Sequence, residues 1–159
     1  MTLSKNQKNN KMVLTIKGCK DPLLKDKVLQ ASYFYARELL STQMIKHIVV
    51  NIEFRTTIKD LGNCMIAEFN DWNKARVFDI QLKRHKTEES TLRTLAHEFV
   101  HLKQFAKGEL NDENTKWKGQ LICEETPYSD LPWEVEASSL EPILFGLYEQ
   151  YLEEAKYEQ

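Results

Sequence analysis

Two histidines four residues apart, His97 and His101, bracket Glu98 in the stretch TLRTLAHEFVHLKQF, Thr91 to Phe105. On a helix, residues i and i+4 stack on one face, so both imidazoles can converge on a single cation at bond lengths of about 2.0 to 2.1 Å. Glu98 is turned about 100° from His97 and is badly placed to ligate the same ion, but it can reach a water in an open coordination position. A carboxylate there accepts the proton of the attacking water and later hands it to a leaving amine, while the metal stabilises the developing oxyanion. With four histidines in the chain, an H-E-x-x-H arises by chance in roughly one sequence in a hundred of this composition. The flanking Leu92, Leu95, Ala96, Phe99, Val100 and Phe105 make the stretch apolar, and three ionisable groups in such a helix need partners.

Two imidazoles leave a catalytic zinc site one protein ligand short. The remaining histidines, His47 and His85, both lie upstream, and the position six residues past His101 is Lys107, so the HExxHxxGxxH arrangement is excluded. An acidic ligand is the alternative. LPWEVEASSLE supplies two candidates, Glu134 and Glu136, in the first turn or so of a helix begun by Pro132. Carboxylates at that position also serve simply as dipole-favourable caps, and spacing leaves the choice between the two open.

The elements that must position these residues are legible as patterns. MVLTIKG, Met12 to Gly18, alternates as a short strand, and residues 1–11 before it read as a flexible tail. Asp21 and Pro22 form a cap and first turn for a long amphipathic helix with Leu24, Val28, Ala31, Tyr35 and Leu39 on one face. IKHIVVNIEF, Ile45 to Phe54, reads as a central strand, and CMIAEF with ARVFDIQL as two antiparallel strands joined by NDWNK. Thr87, Glu88 and Glu89 start a motif helix that runs to about Lys107 and stops at Gly108. A single strand-like run spans Trp117 to Cys123, and a last helix begins at Pro132, with Pro142 expected to bend or break it. The order β, α, β, β, β, α, α points to one α+β domain over residues 1–159: a small mixed or antiparallel sheet packed by helices.

Composition narrows the function classes. Apolar residues make up 42% and charged residues 29%, ordinary for a soluble domain, and a formal charge of −2 argues against a strongly basic nucleic-acid binder. The polar, basic N-terminus and the short apolar run after it fit neither a secretion signal nor a membrane span. Cys19, Cys64 and Cys123 are odd in number and far apart, as reduced thiols are, so a cytoplasmic location is expected.

HEFVH followed by a later E-x-x-A on a second helix resembles the gluzincin branch of the zincin peptidases. More closely, LAHEFVHLKQFAKGEL, WKGQ and PYSDLPWEVEA resemble small phage and bacterial SprT-like metallopeptidases, over roughly residues 76 to 141. The resemblance implies a zincin fold, with the motif helix beside the sheet and a C-terminal helix carrying the third ligand. It also implies zinc held by His97, His101 and a glutamate, with Glu98 as general base. The family's E-x-x-A falls on Glu134 to Ala137, while the aspartate that follows in its pattern is Ser138 here, which leaves Glu136 in competition and the support of the histidines unassigned. No histidine follows His101 as a third ligand and no cysteine-rich ribbon is present, so the DNA-linked substrates of SprT-type proteases do not carry over. The implied substrate is an extended protein or peptide, with ARVFDIQL as the candidate edge strand along which it lies. Tyr128 is a candidate oxyanion stabiliser, as a tyrosine is in several zincin families. Host cytoplasm is the expected location for a phage-encoded copy. Two rival readings are a catalytically silent zincin-fold regulator and a metal-dependent hydrolase of a non-peptide amide, the latter calling for a closed pocket rather than an open groove.

Overall fold

The computed structural model describes residues 11–84 and 87–158; the expected N-terminal tail therefore lies, but for Lys11, outside the described residues. The chain begins with strand β1 (Val13–Lys17) and then helix α1 (Pro22–Leu39). Asp21 caps α1, its Oδ1 accepting from the amides of Leu23 at 3.0 Å and Leu24 at 3.4 Å, and Pro22 takes the first turn, where its missing N–H costs nothing. Ser41 caps the single turn α2 (Thr42–Ile45), so the strand expected from Ile45 instead begins four residues later, as β2 (Val49–Arg55).

Strands β3 (Gly62–Phe69) and β4 (Ala75–Lys83) form the expected antiparallel hairpin. Its connection is built on Asn70, whose Oδ1 accepts from the amides of Trp72 and Lys74, and on Asn73 in the left-handed region at φ 56°. The sheet order is β1-β2-β4-β3, with β1, β2 and β4 parallel and β3 antiparallel at the edge. One expectation is corrected here. ARVFDIQL, as β4, is paired on both sides and has no free backbone edge; the edge nearest the motif helix is β3.

Alternation along the strands places the core. Val50, Ile52 and Phe54 on β2 and Phe78, Ile80 and Leu82 on β4 are buried toward the helices. A polar row, Thr15 to Asn51 to Asp79, hydrogen-bonds across the opposite face. Helix α3 (Glu88–Ala106) lies on the apolar face with α1 and α4 (Pro132–Tyr157) beside it, and all share one core. Tyr35 of α1 anchors this packing, its hydroxyl donating to Leu92 O at 3.0 Å and its ring against Phe99 and Tyr148. The architecture is a mixed α/β fold with helices packed on a mixed sheet, compatible with the α+β class.

Two further expectations are corrected. The run after Trp117 is a hairpin, β5 (Lys116–Trp117) and β6 (Gln120–Leu121), because Lys118 at φ 49° and Gly119 at φ 83° form a two-residue turn of the kind that reverses strands. Pro142 does not break α4, which runs through it. Buried contacts on both sides, Trp133 and Ala137 before it and Leu144, Phe145 and Tyr148 after it, hold the helix against the loss of one backbone hydrogen bond. Among the described residues no helix is long and apolar enough to cross a membrane.

Candidate metal centre

Helix α3 is set by its ends. The Thr87 side chain accepts from Ser90 N at 3.2 Å, Glu88 and Glu89 occupy the positive first turn, and Gly108 at φ 70° turns the chain away after Ala106. Between these ends His97 and His101 fall on the face turned to α4, with His101 buried and His97 half-buried. Helix α4 brings the third group: Leu131 and Pro132 start it, and Glu134, in its first turn, is buried against the two histidines.

The ligand atoms are gathered at one point, each imidazole facing a different oxygen of the same carboxylate. His97 Nε2 lies 3.2 Å from Glu134 Oε2, His101 Nε2 lies 3.2 Å from Glu134 Oε1, and the two Nε2 atoms are 3.2 Å apart. A tetrahedral zinc with bonds of about 2.0 to 2.1 Å has ligand–ligand edges of about 3.3 to 3.4 Å, close to each of these separations, so the two rings and the carboxylate are near enough together to share one ion. The donor chemistry agrees with the distances. His101 Nδ1 stands 2.8 Å from Gln104 Oε1 and His97 Nδ1 stands 3.5 Å from Glu141 Oε2, both acceptors, so in neutral imidazoles the proton sits on Nδ1. Each Nε2 then presents a lone pair to a carboxylate, and three acceptors converge with no donor among them. Either a cation or protonation of the imidazoles must resolve this, and His97, His101 and Glu134 form a group that can hold a metal.

Protonation behaviour follows from the same crowding. Burial works to lower the pKa of both histidines, but the hydrogen bonds to Glu134 and the charge of Glu98 outweigh it, and both are raised. Burial works to raise Glu134, but His101 and His97 more than reverse this and bring it to about 2. Glu98 lacks such direct partners: burial dominates, only partly offset by the histidines, and its pKa rises to about 7.

These groups line one open cavity of about 540 Å³, walled by Asp60 to Cys64 at the start of β3, by α3 and by the first turn of α4. Glu98 projects from α3 toward Gly62. A Cβ on Gly62 would come within 2.8 Å of Thr94 Cγ2 and 3.1 Å of Glu98 Oε1, so the close approach of the edge strand to this carboxyl requires glycine. Tyr128, on the 3₁₀ turn Tyr128–Asp130, also lines the cavity although most of the residue is exposed; what burial its hydroxyl has, and then the negative charge of Glu134, raise its pKa.

The sequence-derived candidates thus separate. His97, His101 and Glu134 come together, with Glu98 and Tyr128 on the same cavity. Glu136 points away: its Oε1 accepts from Lys103 Nζ at 2.7 Å and from Gln104 Nε2 at 3.3 Å. A signal in the sequence distinguishes the two glutamates. Glu134 shares a helical stripe with buried Ala137, Leu144, Phe145 and Tyr148, and Glu136 does not. Gln104 and Glu141, which meet the outer nitrogens of the histidines, escaped sequence reasoning. Their spacing marks them: Gln104 is three residues past His101, and Glu141 is two turns past Glu134.

Comparison of the chain with protein-family models, curated proteins and solved structures returns no match.

Proposed function

We propose that this chain is a small zinc-dependent metallopeptidase of the zincin type, cleaving peptide bonds in an extended protein or peptide substrate. The observation that carries the reading is the convergence of His97 Nε2 and His101 Nε2 on the Glu134 carboxylate, each 3.2 Å from one of its oxygens, with Glu98 on the same open cavity. His97, His101 and Glu134 would hold the zinc, which when bound supplies a Lewis acid that polarises a carbonyl and acidifies water. Glu98, on the same cavity as the three ligands, would take a proton from the attacking water and return it to the leaving nitrogen. Tyr128, its hydroxyl kept protonated, is a donor for the oxyanion. Residues 60–64 of the cavity wall lead into the free edge of β3, where an extended peptide can add as a further strand, and this openness favours a peptide over a small amide. The three free cysteines suit a reducing compartment, so the proposed activity is intracellular.

The test is cleavage of an unfolded, fluorescently labelled protein by zinc-loaded parent and Glu98→Gln. The parent is expected to cleave, and the variant to keep its zinc while losing about 10²- to 10⁴-fold in rate. A variant that cleaves at the parent rate, or a zinc-loaded parent without activity, contradicts the proposal.

A further inference from the structure

Gln104 is fully buried on α3, one turn beyond His101, and each polar atom of its amide is engaged. Its Nε2 donates to Trp133 O at 2.9 Å and to Glu136 Oε1 at 3.3 Å, and its Oε1 meets His101 Nδ1 at 2.8 Å. The two acceptors on one side fix which end of the amide carries the hydrogens: rotated by 180°, the carbonyl would face another carbonyl and a carboxylate at hydrogen-bond distance. Glu136 is itself held by Lys103, which also pairs with Glu109 at 2.7 Å, so the lock on the amide is anchored from outside the site. With Oε1 fixed toward His101, the ring must donate from Nδ1, and its Nε2 lone pair is aimed at Glu134. The other end of the same amide grips the carbonyl of Trp133, the residue immediately before Glu134.

We propose that Gln104 is a positioning residue of the metal centre: one buried amide holds His101 in the Nδ1–H tautomer and holds the first turn of α4, so that His101 Nε2 and Glu134 converge. Glu136 takes a defined part in this as the acceptor that orients the amide. The inference rests on reading His97, His101 and Glu134 as the ligands. Two variants separate it from a role limited to satisfying the Trp133 carbonyl. Gln104→Met removes both the acceptor and the donor. The exchange variant Gln104→Glu with Glu136→Gln restores an acceptor for His101 and a reversed hydrogen bond to position 136, but offers no donor to Trp133.

Zinc affinity of the purified full chain, by competition with a chromophoric chelator, is expected to fall by about 10- to 100-fold in Gln104→Met and by clearly less in the exchange variant, which keeps the acceptor for His101 but loses the donor to Trp133. In the zinc-loaded parent, ¹H–¹⁵N spectra of labelled histidine should show a slowly exchanging Nδ1–H on His101 with Nε2 toward the metal, a readout that needs no variant to fold. An unchanged affinity in Gln104→Met, an equal fall in both variants, or a His101 without a proton on Nδ1 overturns the proposal. A parent that binds no zinc overturns instead the ligand reading beneath it.

Discussion

Replacing Glu98 by glutamine should stabilise the metal-free protein at alkaline pH. Glu98 is 4% exposed and its carboxyl is raised from the ordinary 4.5 to about 7, chiefly because burial penalises the charged form. A folded-state pKa above the unfolded value means that the native state binds the extra proton between those two limits. Stability from this group is complete below about pH 4.5, is lost progressively as pH rises, and is gone above about pH 7. The interval corresponds to roughly 3 kcal/mol at full ionisation. Glutamine is close in shape and carries no charge, so the variant escapes the loss. Urea unfolding of parent and Glu98→Gln with a chelator present, from pH 5 to 8, should show curves close together at pH 5 that separate as pH rises, the variant ahead by about 2 to 3 kcal/mol at pH 8. A constant difference across that range, or a variant less stable at pH 8, would refute the claim that Glu98 is held at a cost in stability, as a group tuned for proton transfer is.

Other perturbations have equally definite outcomes. Gly62→Ala forces a methyl against Thr94 Cγ2 and Glu98 Oε1 and should destabilise the protein by about 1 to 3 kcal/mol; adding Thr94→Ser, which deletes the methyl at 2.8 Å, should recover part of that in the same unfolding assay. Thr87→Ala removes the cap of α3 and should cost about 1 kcal/mol in denaturant stability without changing zinc affinity. Because the pKa values of His97 and His101 are raised, protons compete for the ligand nitrogens at higher pH than for free imidazole, so apparent zinc affinity measured by chelator competition should begin to fall already near neutral pH and steepen below it. An affinity independent of pH between 5 and 7 would argue that imidazole nitrogens are not the ligands.

The helix bearing His97, Glu98 and His101 was readable in sequence because its cap, its apolar period and its terminal glycine are all local signals. The same holds for α1, written in Asp21–Pro22 and the spacing of Val28, Ala31 and Tyr35. What resisted local reading depends on how elements meet. The rank of β4 within the sheet is settled by long-range pairing with β2 and β3, and nothing in ARVFDIQL distinguishes an internal strand from an edge. The separation of Glu134 from Glu136 depends on the rotation of α4 against α3, which Trp133, Ala137 and the apolar residues beyond Pro142 set together. Lys118–Gly119 hid a hairpin because its left-handed turn begins with a lysine, a residue that seldom adopts that conformation.

The central claim, that His97, His101 and Glu134 form a zinc site while Glu136 belongs to its surroundings, is tested most directly by metal content. Parent, Glu134→Ala and Glu136→Ala, purified without added zinc and then equilibrated with a small excess, should be analysed for bound metal after gel filtration. The parent and Glu136→Ala are expected to retain near-stoichiometric zinc and Glu134→Ala to lose it. Zinc retained by Glu134→Ala and lost by Glu136→Ala, or bound by none of the three, would contradict the account.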